Sequence, residues 1–292
     1  MNEPAADAIL AMGRPEAVLP WVERYVRRLA DPPTASQPIT RAQWREALGD
    51  RARLADWITF FDHELAEAPW PDVVRHWTPH LVPGLMAAAA HGLLRTSHAV
   101  RRLADGETLQ RRHELAQGLG YWAARYHMLP GRPSGTDAGW TPHEALAHVQ
   151  RIHGPGFEAP GSISNAVRGL ETEPSFLPVI DLVNTAGDLE RFLSNLTEGC
   201  TRVYLTHTSG LIAFVHAVTA PSALRLLLPY LAEADARLAA RYAWQACAAL
   251  YAWYATTAIP APTTESRARG LSPSGGRGIA RGPTGPTLPD TQ

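Results

Sequence analysis

Start and stop signals for helices recur along this chain and leave little room for a sheet. Thr40 with Gln43 reads as a capping box opening a helix near Arg41, with Gly49 as its stop. Asp50 can cap the next helix, through Trp57, Phe60, Phe61 and Leu65, and Pro71 begins another toward His80. Pro83 suits the first turn of a helix running to about Leu103, and a further helix spans about Leu109 to Met128. Thr141-Pro142-His143-Glu144 joins a capping box to a first-turn proline and opens a short helix to about Arg151. The stretches around Gly131 to Gly139 and Gly154 to Gly161 are rich in Gly and Pro and read as loops. Helices resume around Phe176 to Glu198, Ser209 to Thr219, Ser222 to Leu231 and Ala232 to Ala255. Strand-like alternation is scarce, and Thr201 to Thr206 is its best candidate. The expectation is an all-α fold: a single multi-helical domain over residues 1–258, followed by a disordered Pro/Gly-rich tail over 259–292.

Composition narrows the function. All 27 cationic residues are arginine, so lysine Schiff bases, P-loop lysines and carboxylated-lysine metal ligands are excluded. A formal net charge of −1 supplies no global field to attract nucleic acid or an anionic membrane. Cys200 and Cys247 lie far apart in sequence and read as buried small hydrophobes in a reducing compartment. The opening MNEPAADAIL is acidic and too short in apolar residues for a secretory signal. The most apolar stretch, Leu211 to Leu231, is broken by His216, Pro221, Arg225 and Pro229, which argues against a membrane span. A cytoplasmic soluble protein is expected. No GxSxG elbow, GxxxxGK[ST] loop or GxGxxG fingerprint is present, so a flavin or nicotinamide held in a Rossmann unit is not expected.

Chemistry must then come from histidines, of which there are twelve. In the stretch Gly84 to His98, Ala87, Ala88 and Leu94 share a helical face with His91, Arg95 and His98. His91 and His98 are two turns apart, about 10 Å along the axis, and would have to lean together to share a ligand. Arg95 between them disfavours protonated imidazole and could instead bind a phenolate, carboxylate or phosphate; helix packing is the competing use of all three. In the second candidate, Ile212, Val215, His216 and Thr219 form one face, and a histidine in that apolar stripe needs a hydrogen bond or a metal. His207 belongs to a capping loop. His143 and His148 are one residue too far apart for a zincin pair. His63-Glu64 is a weaker ligand candidate that reads as surface, as do His76, His80, His113, His127 and His153.

Three segments carry a family resemblance. Asn2 to Arg14, the run Trp77 to Arg102 with PGLMAAAAHGLLRTSHAVRRL, and His216 to Leu224 resemble the questin oxidase-like family over roughly Met1 to Ala255. The resemblance implies an all-helical oxygenase that works without flavin. It further implies NADPH-dependent, Baeyer–Villiger-type oxidation of small aromatic polyketide or quinone substrates in secondary metabolism. Iron held by histidines and a modified lysine is also implied, and by motif His91 and His216 carry over as ligands, with His98 as a weaker third. Two departures follow. Glu3 stands where relatives carry a histidine after Asn2, so a carboxylate would replace it. The acidic-His-Lys element expected beyond Trp244-Gln245 is missing. Arg95 is then the residue to orient an anionic substrate, with Tyr121, Trp122 and Trp244 as candidate pocket walls. The alternative is a catalytically degenerate homologue, a helical small-molecule-binding or structural protein.

Overall fold

The computed structural model describes residues 3–27, 34–136, 138–154, 157 and 161–257. The chain divides into Met1–Pro260 and Ala261–Gln292; the expected tail over 259–292 lies outside the described residues. Among the described residues no strand forms, and the sole β-type pairing is a parallel bridge between Trp140 and Val183.

The helices are α1 (Glu3–Ala11), α2 (Val18–Val26), α3 (Leu54–Glu67), α4 (Trp70–Leu81), α5 (His91–Ala104), α6 (Leu109–Ala124), α7 (Pro142–Leu146), α8 (Ile163–Ala166), α9 (Leu189–Thr206), α10 (Leu211–Leu224) and α11 (Glu233–Tyr254). Several start where the caps put them. Thr108 accepts the Arg111 N–H, Thr141 and Glu144 close a full capping box, and the Asp188 carboxylate takes the N–H groups of Glu190 and Arg191. Asp50 accepts the Ala52 N–H and opens a 3₁₀ turn that leads into α3. The Thr40–Gln43 signal yields only a 3₁₀ turn, Trp44–Ala47.

Two neighbourhoods pack together. Helix α6 packs between α3 and α5, and α10 packs between α5 and the pair α9 and α11. The α5–α10 seam joins the two, and α11 adds contacts to α4 and to the Val82–Gly84 turn. Helix α11 is buried on every side from Tyr242 to Ala252, and the Trp244 indole donates to the Val179 carbonyl at 2.7 Å. Where α5 crosses α6 the backbones nearly touch. A Cβ on Gly92 would stand 2.7 Å from Cα, Cβ and Cγ of Trp122.

Four expectations are corrected. Thr201 to Thr206 is the end of α9, not a strand, because Thr197, Thr201 and Thr206 each turn the hydroxyl onto the carbonyl four residues back, at 2.7, 2.8 and 2.9 Å. The Phe176 to Glu198 helix breaks into a 3₁₀ segment, Pro174–Asp181, and α9. Pro221 does not separate two helices but sits inside α10. It removes the donor to the Ala217 carbonyl, and the Cys247 thiol fills that vacancy at 3.2 Å. Burial, with Cys200 alongside, pushes the Cys247 thiol up and keeps it protonated. By length and composition Leu211–Tyr230 could cross a membrane, yet α10 ends at Leu224 and half of the stretch is buried in the fold.

The fourth correction bears on the site. Pro83 does not start a helix to Leu103. A 3₁₀ turn, Val82–Gly84, leads into a turn whose last residues Ala88, Ala89 and Ala90 have φ of 48°, 58° and 64°, and α5 begins only at His91. Left-handed alanine costs roughly 1–2 kcal/mol per residue. Ala88→Gly is thus expected to raise stability in urea unfolding by about 1 kcal/mol. Ala240→Gly inside α11 should lower it by at least that much. A loss in both variants would show that the turn is unstrained.

Candidate active site at the α5–α10 seam

His91 is the first residue of α5, and its ring turns back so that Nδ1 lies 2.6 Å from the Ala88 carbonyl. The left-handed turn creates that acceptor by folding the Ala88 carbonyl under the ring. His216, midway along α10, places Nδ1 2.6 Å from the Ile212 carbonyl. A carbonyl can only accept, so each Nδ1 carries the proton and each Nε2 keeps a lone pair. The two rings meet across the seam with centroids 5.0 Å apart and planes inclined at 61°. Two imidazoles on one first-row ion, with metal–nitrogen bonds near 2.0–2.1 Å, put their centroids about 5 Å apart. The tautomers and the spacing both fit a shared metal, and a backbone carbonyl on the second nitrogen is the usual support of a metal-bound histidine.

Burial lowers the pKa of His216; the Ile212 carbonyl pulls it up and His91 pulls it down again. The ring stays neutral and able to coordinate at pH 7. Burial likewise leads the lowering at His80, His127 and His143. In the unfolded chain these four rings return to about 6.5. The unfolded state then takes up protons that the native state refuses as pH falls through that value, so stability drops. The expected result is a Tm steady above pH 7.5 and falling between pH 6.5 and 5, with a shallower fall in His216→Gln. A Tm that rises over that range would contradict the assignment.

The remaining candidates do not join the pair. His98 lies near Arg101, Nδ1 3.5 Å from its guanidinium. Among the described residues no group of three or more His, Cys, Asp or Glu side chains stands ready to hold a metal. The rise along α5 keeps His98 two turns from His91. Glu3 opens α1, which packs against α5; its side chain lies outside the described residues. Arg95 reaches α6, donating to Gln117 at 3.1 Å with its guanidinium 5.3 Å from the Tyr121 ring centre. Tyr121 thus stands beside Arg95, while Trp122 and Trp244 are wholly buried core residues.

In the stripe containing His216 the histidine is buried but its apolar neighbours are not. Ile212 is 65% and Val215 39% exposed, while Phe214, Ala217 and Leu224 on the opposite side fill the core. An all-round apolar helix gives no periodic signal for which face is buried. The pair therefore lies under an exposed apolar rim. Glu64, read as surface, is buried: Arg41 grips it at 2.6 and 3.0 Å, and the Trp77 indole donates to it at 2.8 Å. A cavity of about 540 Å³ opens there, with Gln37, Ile39 and Phe60 in its walls. It sits against α3, whereas the histidine pair is on the α5 side of α6.

Fold and site together define an all-α protein with a two-histidine centre where its halves join. The model of the family described as Questin oxidase-like matches residues 22–275, and the chain belongs to that family. The match begins after the Asn2 to Arg14 segment, so α1 precedes it. Membership supports an oxidoreductase-type function in general. No curated protein and no solved structure matches the chain.

Proposed function

We propose that the protein is a cytoplasmic, flavin-independent monooxygenase of Baeyer–Villiger type that uses NADPH to oxidise aromatic polyketide or quinone-type substrates. The observation that carries the proposal is the His91–His216 pair, with both Nδ1 atoms tied to carbonyls and both Nε2 atoms available. In this reading the two Nε2 atoms would hold an iron ion, with water as a further donor. Iron held there would supply dioxygen activation. The protein's own groups do the rest. The Ala88 and Ile212 carbonyls hold the rings in the coordinating tautomer. Arg95, steadied by Gln117 and Tyr121, orients an anionic enolate or phenolate by charge and directed N–H donation. The apolar rim of Ile212 and Val215 receives an aromatic ring and sheds water from the seam.

Untagged protein given Fe²⁺, NADPH and a panel of hydroxyanthraquinones should consume NADPH and quinone together, and His216→Ala should reduce that rate by at least about 100-fold. A second reading, a catalytically degenerate binding protein, is favoured by the lack of a third grouped donor among the described residues. It predicts saturable quinone binding with no NADPH oxidation at any iron concentration.

A further inference from the structure

We propose that His76 and His80 form a divalent-metal site on the outer face of α4, separate from the α5–α10 seam, suited to Cu²⁺, Ni²⁺ or Zn²⁺. The two residues are one helical turn apart, the spacing at which side chains stand one above the other. Their ring centroids are 5.4 Å apart, close to the roughly 5 Å expected of two imidazoles on one ion. His76 is exposed. His80 is half-buried, tilted against Trp44 at 5.0 Å and edge-on to Trp77 at 5.9 Å between centroids. Both rings lean on Trp77, His76 edge-on at 5.1 Å, and His80 is the more buried of the two.

The helix gains from such a bridge. Pro79 lies inside α4 and cannot donate to the carbonyl of Arg75, so the last turn lacks one of its hydrogen bonds. His76 and His80 flank that gap, and an ion between them cross-links the turn that proline weakens. Nearby charges oppose one another. Arg45, stacked on Trp44 at 4.3 Å, and Asp235 of α11 act on His80 with opposite sign. Two imidazoles with water at the other positions bind Cu²⁺ most tightly and Ni²⁺ or Zn²⁺ less so.

The test uses the untagged full chain, stripped with chelator and titrated with Cu²⁺ under calorimetry and electron paramagnetic resonance. It is run in wild type, in His216→Ala and in His216→Ala/His76→Asn, so that the seam pair is disabled when His76 is tested; His76 is exposed, so its replacement leaves the core intact. The expected result is one Cu²⁺ with nitrogen superhyperfine structure in His216→Ala. His76→Asn should weaken that site by about 100-fold. Saturating Ni²⁺ should raise Tm by about 5 °C in His216→Ala and leave His216→Ala/His76→Asn unmoved. Copper affinity indifferent to His76→Asn, or a copper signal lost on His216→Ala alone, overturns the proposal. Neither outcome touches the oxygenase reading, whose test is quinone turnover with Fe²⁺.

Discussion

Gly92→Ala is expected to lower stability by about 3 kcal/mol and to disrupt the histidine pair. The added methyl would meet the Trp122 backbone and side-chain root at 2.7 Å, closer than any carbon contact tolerates. Trp122 cannot yield, being wholly buried with its indole donating to the Gly84 carbonyl at 3.1 Å. Relief must come from parting α5 and α6, and overpacking of this kind costs about 1–3 kcal/mol or somewhat more. His91 is the residue before Gly92, so parting the helices also moves its ring away from His216. Urea unfolding should show the stability loss, and iron binding should weaken far more than in an equally destabilised variant of α3. An unchanged midpoint would mean that α5 and α6 are not in close contact.

Trp244→Ala should be more damaging still, at about 5 kcal/mol. Truncating a fully buried tryptophan costs about 3–5 kcal/mol through lost contacts and the cavity left behind. The Val179 carbonyl also loses its donor inside the core. Against the roughly 5–15 kcal/mol that holds a domain together, that loss should leave little soluble protein at 37 °C. Trp244→Phe keeps most of the volume and should recover more than half of the deficit. Equal urea midpoints for Trp244→Ala and wild type would contradict the central place given to α11.

Much of this was legible in the residues. Thr141, Asp50 and their neighbours carry local chemistry that any fold must satisfy, so the caps they announced are where helices begin. His216 stood out because an imidazole in an apolar run needs a partner, and His91 by the helical face it shares with Arg95 and His98 and by the family resemblance; the structure supplies carbonyls on one nitrogen and the other ring alongside. The misses came from tertiary context overriding local preference. Ala87 to Ala90 reads as ideal helix, since alanine has the highest helix propensity, yet three of those residues are left-handed. Around the break Val82, Leu85 and Met86 are all packed into the core. Thr201 to Thr206 looked like a strand because β-branching was visible while hydroxyl bonds to carbonyls were not. Glu64 looked like surface because its Arg41 and Trp77 partners are distant in sequence.

The absence of lysine remains the strongest chemical constraint. Any metal at the seam must be held by histidine, carboxylate and water, and the histidines in reach are His91 and His216. The direct measurement is the metal content of untagged protein reconstituted with Fe²⁺ and desalted, by plasma mass spectrometry. The account predicts about one iron per chain, lost in both His91→Ala and His216→Ala and retained in His98→Ala. Protein that stays iron-free, or iron that survives both substitutions, would contradict it.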